Sequence, residues 1–136
     1  RVDIILENYA KTVHIEALTL MDMMNRDVIP AITAYVSSLC EAVNNKNLIS
    51  ADSSVEYELI TRLSAANKEI FTLTSDLKAA VASAERSSNI FEKASEYRNI
   101  ILKIMADIRK YADSAECVVP REAWPYPSYG DLLFKI

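Results

Sequence analysis

Residues 54–85 read SVEYELITRLSAANKEIFTLTSDLKAAVASAE, with apolar side chains at Leu59, Leu63, Ala66, Ile70, Leu73, Leu77, Ala80 and Ala84. The steps alternate between four and three without a miss. That spacing puts every one of these side chains on a single stripe of an α-helix. A repeat of 3.5 residues favours shallow, left-handed packing against neighbouring helices. The helix also has a start signal. Ser53-Ser54-Val55-Glu56 reads as a capping box, the Ser53 hydroxyl accepting from a free amide while Glu56 reaches back. Glu58 and Arg62 form an outward i,i+4 pair.

Working outward, a second stripe of the same kind follows. Arg86-Ser87-Ser88-Asn89 interrupts, and Asn89 with Glu92 can start a new helix running over 89–118. Its seam is Ile90, Ala94, Tyr97, Ile101, Ile104, Ile108, Tyr111, Ala115 and Val118, and Pro120 closes it. Upstream, the first segment spans about 2–43. Its apolar positions are Ile15, Leu18, Ile29, Ile32, Val36, Leu39 and Val43, with Asp22 and Asn25 where further members are due; Ile5, Tyr9 and Val13 precede them at steps of four. Pro30 lies inside this pattern. Without an amide hydrogen, and with a ring crowding the Arg26 carbonyl, it predicts a kink or a full break. Asn44-Asn45-Lys46-Asn47 predicts the helix end, because Asn tolerates the left-handed conformation.

The short connectors make the helices antiparallel neighbours. The expectation is all-α: an elongated antiparallel bundle over 1–123 with helices at about 2–43, 54–85 and 89–118. One continuous helix through 86–89 is the competing arrangement, and it would leave both seams open.

Composition agrees. The 136 residues include one Gly and four Pro, and 51% are hydrophobic, which argues against disorder. A net charge of −4 with no basic run excludes a typical nucleic-acid binder. No apolar run reaches membrane-spanning length and no secretory signal is present, which points to the cytoplasm. Cys40 and Cys117, far apart and outside any CxxC pair, read as reduced core residues. The absence of an initial Met predicts a piece of a longer chain.

Residues 124–136, WPYPSYGDLLFKI, form a non-helical tail holding the sole Trp, the sole Gly and two of the four Pro. Pro125 and Pro127 impose extended geometry on the residues before them. Burying an aromatic side chain removes about 150–250 Å² from water, so such a tail is expected to dock. The docking residues are Trp124, Tyr126, Tyr129, Leu133 and Phe134. The expected berth lies near the start of the second helix, beside the end of the third, with Trp124 and Phe134 as anchors.

Catalytic constellations are not legible. His14 stands alone among apolar neighbours and reads as a packed or half-buried histidine. No Glu-x-x-His pair, activated Ser or glycine-rich phosphate loop occurs. Glu7, Glu16, Asp22 and Asp27 read as solvated carboxylates. Met21, Met23 and Met24 read as core filler. No catalytic, cofactor-binding or metal-ligating residue is assigned.

Two stretches carry a family resemblance. Lys11-Thr12-Val13-His14-Ile15-Glu16-Ala17-Leu18-Thr19-Leu20-Met21-Asp22-Met23, continuing to Val28-Ile29-Pro30-Ala31, resembles a segment near the C-terminus of type III glutamine synthetases. Trp124-Pro125-Tyr126-Pro127-Ser128-Tyr129-Gly130-Asp131-Leu132-Leu133-Phe134 resembles the terminal motif of that family. His14 departs from the pattern, where a small amide residue is expected. The resemblance implies a parent enzyme that joins ammonia to glutamate through γ-glutamyl phosphate, using ATP and a divalent metal (Mg or Mn). It implies stacked hexameric rings, with the ligand sites upstream and none in this stretch. The expected partners are the chain's own upstream catalytic domain and neighbouring subunits of a homo-oligomer, with neither nucleic acid nor membrane. A free-standing helical adaptor is the alternative.

Overall fold

The computed structural model describes residues 1–127, and all regular structure among them is helical. The first helix comprises Val2–Met23, a wide π-helical turn at Met24–Val28, and Ile29–Leu48. The second is Ser54–Glu85. The third comprises Ile90–Glu96, a second π-helical turn at Tyr97–Ile101, and Leu102–Glu116. A short 3₁₀ turn, Arg121–Ala123, follows Pro120. The second helix runs antiparallel to the other two, and one core joins all three. The chain turns between the second and third helices, so the two seams close on each other rather than extending as one helix.

Pro30 does not break the first helix, which continues over 47 residues through the expected kink-like joint. The turn ahead of it widens instead, with the Ile29 amide donating to the Met24 carbonyl five residues back. A wide turn absorbs the missing amide and the crowded carbonyl while helical winding continues. It also adds one residue to the turn, so buried positions stay in line at steps of four through Leu20, Met24, Val28 and Ile32.

This rewinding corrects the expected stripe of the first helix. Ile15 and Leu18 are 63% and 47% exposed, whereas Ala10, Val13, Ala17 and Leu20 are buried. The true face runs from half-buried Tyr9 through Val13 to Ala17, a residue too small to stand out as a seam member, while Ile5 at the head of that row is exposed. Downstream of Pro30 the expected positions Ile32, Leu39 and Val43 are buried. The third helix shows a related displacement. Beyond its wide turn the expected Ile108 and Ala115 are buried, but Met105, Ala112 and Val119 are buried where Ile104, Tyr111 and Val118 were expected, and those three are only half-buried. The second helix has no wide turn. Its expected Leu63, Ala66, Ile70, Leu77 and Ala84 are buried, but Leu59, Leu73 and Ala80 are only half-buried, and Thr74 and Val81 beside the last two are buried.

Local signals divide in the same way. Asn89 caps the third helix, its Oδ1 accepting from the amides of Phe91 at 2.9 Å and Glu92 at 3.2 Å. The capping box at Ser53 does not form. The Ser53 side chain makes no cap bond, and Glu56 turns away to meet Lys46 Nζ at 2.7 Å across the first connector. That ammonium holds the Glu56 carboxyl below the usual range. An ion pair to another helix end has displaced a local bond. The first helix also outlasts its Asn run by reaching Leu48, and the left-handed residue after it is Ser50, with φ of 56°. Cys40 and Cys117 are free but exposed, not core residues, because each lies off the buried stripe of its helix.

Candidate functional site

The wide turn of the first helix and the end of the third helix frame a groove of about 470 Å³. Its apolar wall includes Leu20, Met24, Val28 and Ala112, and the chain after Pro120 crosses back to line it with Trp124, Tyr126 and Pro127. Trp124 adopts extended geometry, as a residue preceding proline must. Trp124 and Tyr126 are half-buried and pack against the main core. The Tyr126 hydroxyl donates to Asp27 Oδ2 at 2.6 Å. Burial, reinforced by that carboxylate, pushes the Tyr126 phenol well above its ordinary value. Asp27 lies within the π-helical turn, so the distortion that accommodates Pro30 also carries the acceptor for the tail.

A second polar cluster pins the three helices together at the other end of the second helix. Tyr97, fully buried at the start of the second wide turn, donates its hydroxyl hydrogen to Glu85 Oε2 at 2.6 Å. Its oxygen then accepts from His14 Nδ1 at 2.8 Å. That direction of bonding requires the proton on Nδ1. The two rings meet edge-on, with centroids 6.2 Å apart. His14 Nδ1 lies 3.7 Å from Glu85 Oε2, and Lys93 Nζ lies 3.8 Å from Glu85 Oε1. Burial first, and then Glu85, raises the Tyr97 phenol well above its ordinary value. A phenol held protonated is a donor and not a base. The cluster therefore tethers the middle of the first helix to the end of the second and the start of the third.

Of the docking residues expected from sequence, Trp124 and Tyr126 lie together in the groove. Tyr129, Leu133 and Phe134 fall outside the described residues, as does the expected anchoring by Phe134. The berth differs from the expected one. It is formed by the first and third helices, and no residue of the second helix lines it. The reason is the Met-rich wide turn, which offers both apolar surface and a carboxylate.

Sequence reasoning placed Tyr97 in the third-helix seam, where it is buried, and Asp27 among solvated carboxylates, but gave neither a polar partner and did not single out Glu85. Their partners lie 99 and 83 residues away for the Tyr126–Asp27 and His14–Tyr97 pairs, so no local spacing marks them. Among the described residues, no three His, Cys, Asp or Glu side chains converge to hold a metal ion. Likewise, no described helix is long and apolar enough to cross a membrane.

Residues 1–47, almost all of the first helix, match the family model described as the glutamine synthetase C-terminal domain. Along its whole length the chain is 36% identical to a glutamine synthetase of Butyrivibrio fibrisolvens, covering 20% of that protein. It is 29% identical to a glutamine synthetase of Bacteroides fragilis, with 98% of the chain and 19% of the relative aligned. A type-3 glutamine synthetase of Dictyostelium discoideum is 25% identical over 98% of the chain and 19% of its own length. The chain thus spans about one fifth of the length of these relatives.

Proposed function

We propose, from the premise that this chain is the C-terminal region of a glutamine synthetase, that it is a structural and assembly element of that enzyme and performs no catalysis itself. The parent reaction is the ATP-dependent joining of ammonia to glutamate. ATP and a divalent metal act in the upstream catalytic part, in the cytoplasm. The bundle over 1–123 braces that part and its contacts with neighbouring subunits of a homo-oligomer. The tail over 124–136 is the clamp, with Trp124, Tyr126, Tyr129, Leu133 and Phe134 as its docking side chains.

The observation that carries this reading is the seating of Trp124 and Tyr126 in a groove whose rim supplies Asp27. An aromatic strap tied by a charge-assisted bond is a holding device. Alignment along the whole chain with relatives about five times longer weighs against a free-standing adaptor. Deleting residues 124–136 from the full-length enzyme tests the proposal. A lower melting temperature, with a smaller assembly or reduced glutamine formation, is expected. Unchanged melting, mass and activity would refute it.

A further inference from the structure

The first helix outruns the bundle. His14 stands level with Glu85, the last residue of the second helix. The stretch from Val2 to Val13 therefore continues about 18 Å past that level at the helical rise. Over this length it has the start of the third helix on one side, and on the other the end of the second helix and its connector, Glu85, Ser87 and Ser88, which share a groove with Glu7, Ala10 and Lys11. Two grooves flank it. One, of about 440 Å³, is lined by Ile5, Leu6, Tyr9, Phe91 and Ala94. The other, of about 450 Å³, opens where the second helix stops and includes Ala10, Ile15 and Ile90.

The exposed side chains of this overhang are apolar on more than one face. Val2, Ile4 and Ile5 are 60%, 61% and 63% exposed, and Phe91 beside them is 57% exposed. Scattered single apolar residues on a surface need no explanation, but a contiguous patch marks an interaction site. Val2 and Ile5 share one helical face with Leu6 and Tyr9, whereas Ile4 lies with Lys11 and Ile15 on another. Apolar side chains on two faces fit a helix end inserted between surfaces better than one lying on a single flat partner.

We infer that Val2–Tyr9 and Phe91 form the interface with the upstream catalytic portion of the same polypeptide, which fills the place beyond the end of the second helix. This rests on the proposed function. The occupant is indicated by the alignments: about four fifths of the relatives' length lies outside the matched region, and the matched family is a C-terminal domain, so that length enters at the overhanging end. The interface is apolar and flanked by mixed charge, with Glu7, Lys11 and Lys93 around one groove and Arg98 beside the other. The upstream surface that meets it is correspondingly apolar at its centre.

The test uses the full-length protein with Ile4→Lys/Ile5→Lys and, separately, Phe91→Lys. Phe71→Lys, at a residue 63% exposed on the second helix, is the control. Both test variants are expected to lower the melting temperature by at least about 5 °C. Amide exchange over residues 2–9 is expected to accelerate at least tenfold, with the control unchanged. Test variants with wild-type melting and exchange overturn the inference. Variants that split the assembly while each protomer keeps wild-type melting overturn it too, because the surface then faces another subunit. Wild-type full-length protein that makes no glutamine from ATP, ammonia and glutamate would sink the proposed function and leave the interface result readable.

Discussion

Replacing Tyr126 by Phe removes one oxygen and keeps the ring in the groove. The oxygen donates to Asp27 at 2.6 Å, a charge-assisted bond. Hydrogen bonds to charged groups contribute about 1.5–3 kcal/mol net. Tyr126 and Asp27 are both half-buried, so water can replace part of what is lost, and the lower end applies: about 1.5 kcal/mol. In a domain of this size that corresponds to a melting shift of about 5 °C. Urea unfolding followed by circular dichroism measures it. Trp124, the sole Trp, reports locally, because loosening the strap exposes its indole and shifts its emission to the red. A cycle with Asp27→Ala should give a coupling of about 1 kcal/mol or more. The pH dependence has a definite sign. The folded state raises the Tyr126 phenol above its ordinary value of 10.0. The bond's contribution is therefore whole below about pH 10 and is lost as pH climbs through the folded value. Wild-type stability should fall more steeply than that of Tyr126→Phe in that window. Additive single effects, with an unchanged midpoint and unchanged Trp124 emission, would refute the strap.

Tyr97→Phe should cost about 1–2 kcal/mol by unpairing Glu85 and His14, both of which can still reach water, whereas Tyr97→Ala, at a fully buried site, should cost about 3–5 kcal/mol; chemical denaturation separates the two, and equal losses would mean that the hydroxyl contributes nothing. Deleting Asn25 from the first wide turn should restore regular winding with Ala10 and Ala17 still facing the core, but Pro30 would then crowd the carbonyl four residues before it, for a loss of about 3 kcal/mol. A deletion variant within about 1 kcal/mol of wild type would show that the wide turn is not needed to accommodate Pro30.

How much was legible beforehand varied by helix, for a specific reason. The second helix winds regularly, and counting fours and threes recovered Leu63, Ala66, Ile70, Leu77 and Ala84, although Thr74 and Val81 are buried where Leu73 and Ala80 were counted. The first and third each contain a wide turn. A single count of fours and threes does not keep one phase across a turn that takes up an extra residue: it named Ile15 and Leu18, ahead of the first wide turn, where Ala17 and Leu20 are buried, and Ile104 where Met105 is, while Ile108 and Ala115 stayed on the buried face. The candidate site was legible in its apolar half alone. Trp124 and Tyr126 stand out by composition, yet Asp27 resembles any other carboxylate on a helix until the tail arrives.

By itself, then, the amino-acid sequence determined the helix number, the turn at Asn89 and the presence of an aromatic strap needing a berth. These follow from short-range rules: periodicity, amide capping and the geometry of residues before proline. The tertiary structure alone decided that Pro30 would be absorbed by a wide turn, that Glu56 would prefer Lys46 to its own helix end, and that Tyr97 would join His14 to Glu85. It also decided that the strap would cross to the first helix. Each of those outcomes is a competition between a local bond and a partner brought in by packing, and a linear count of residues contains only one of the two competitors.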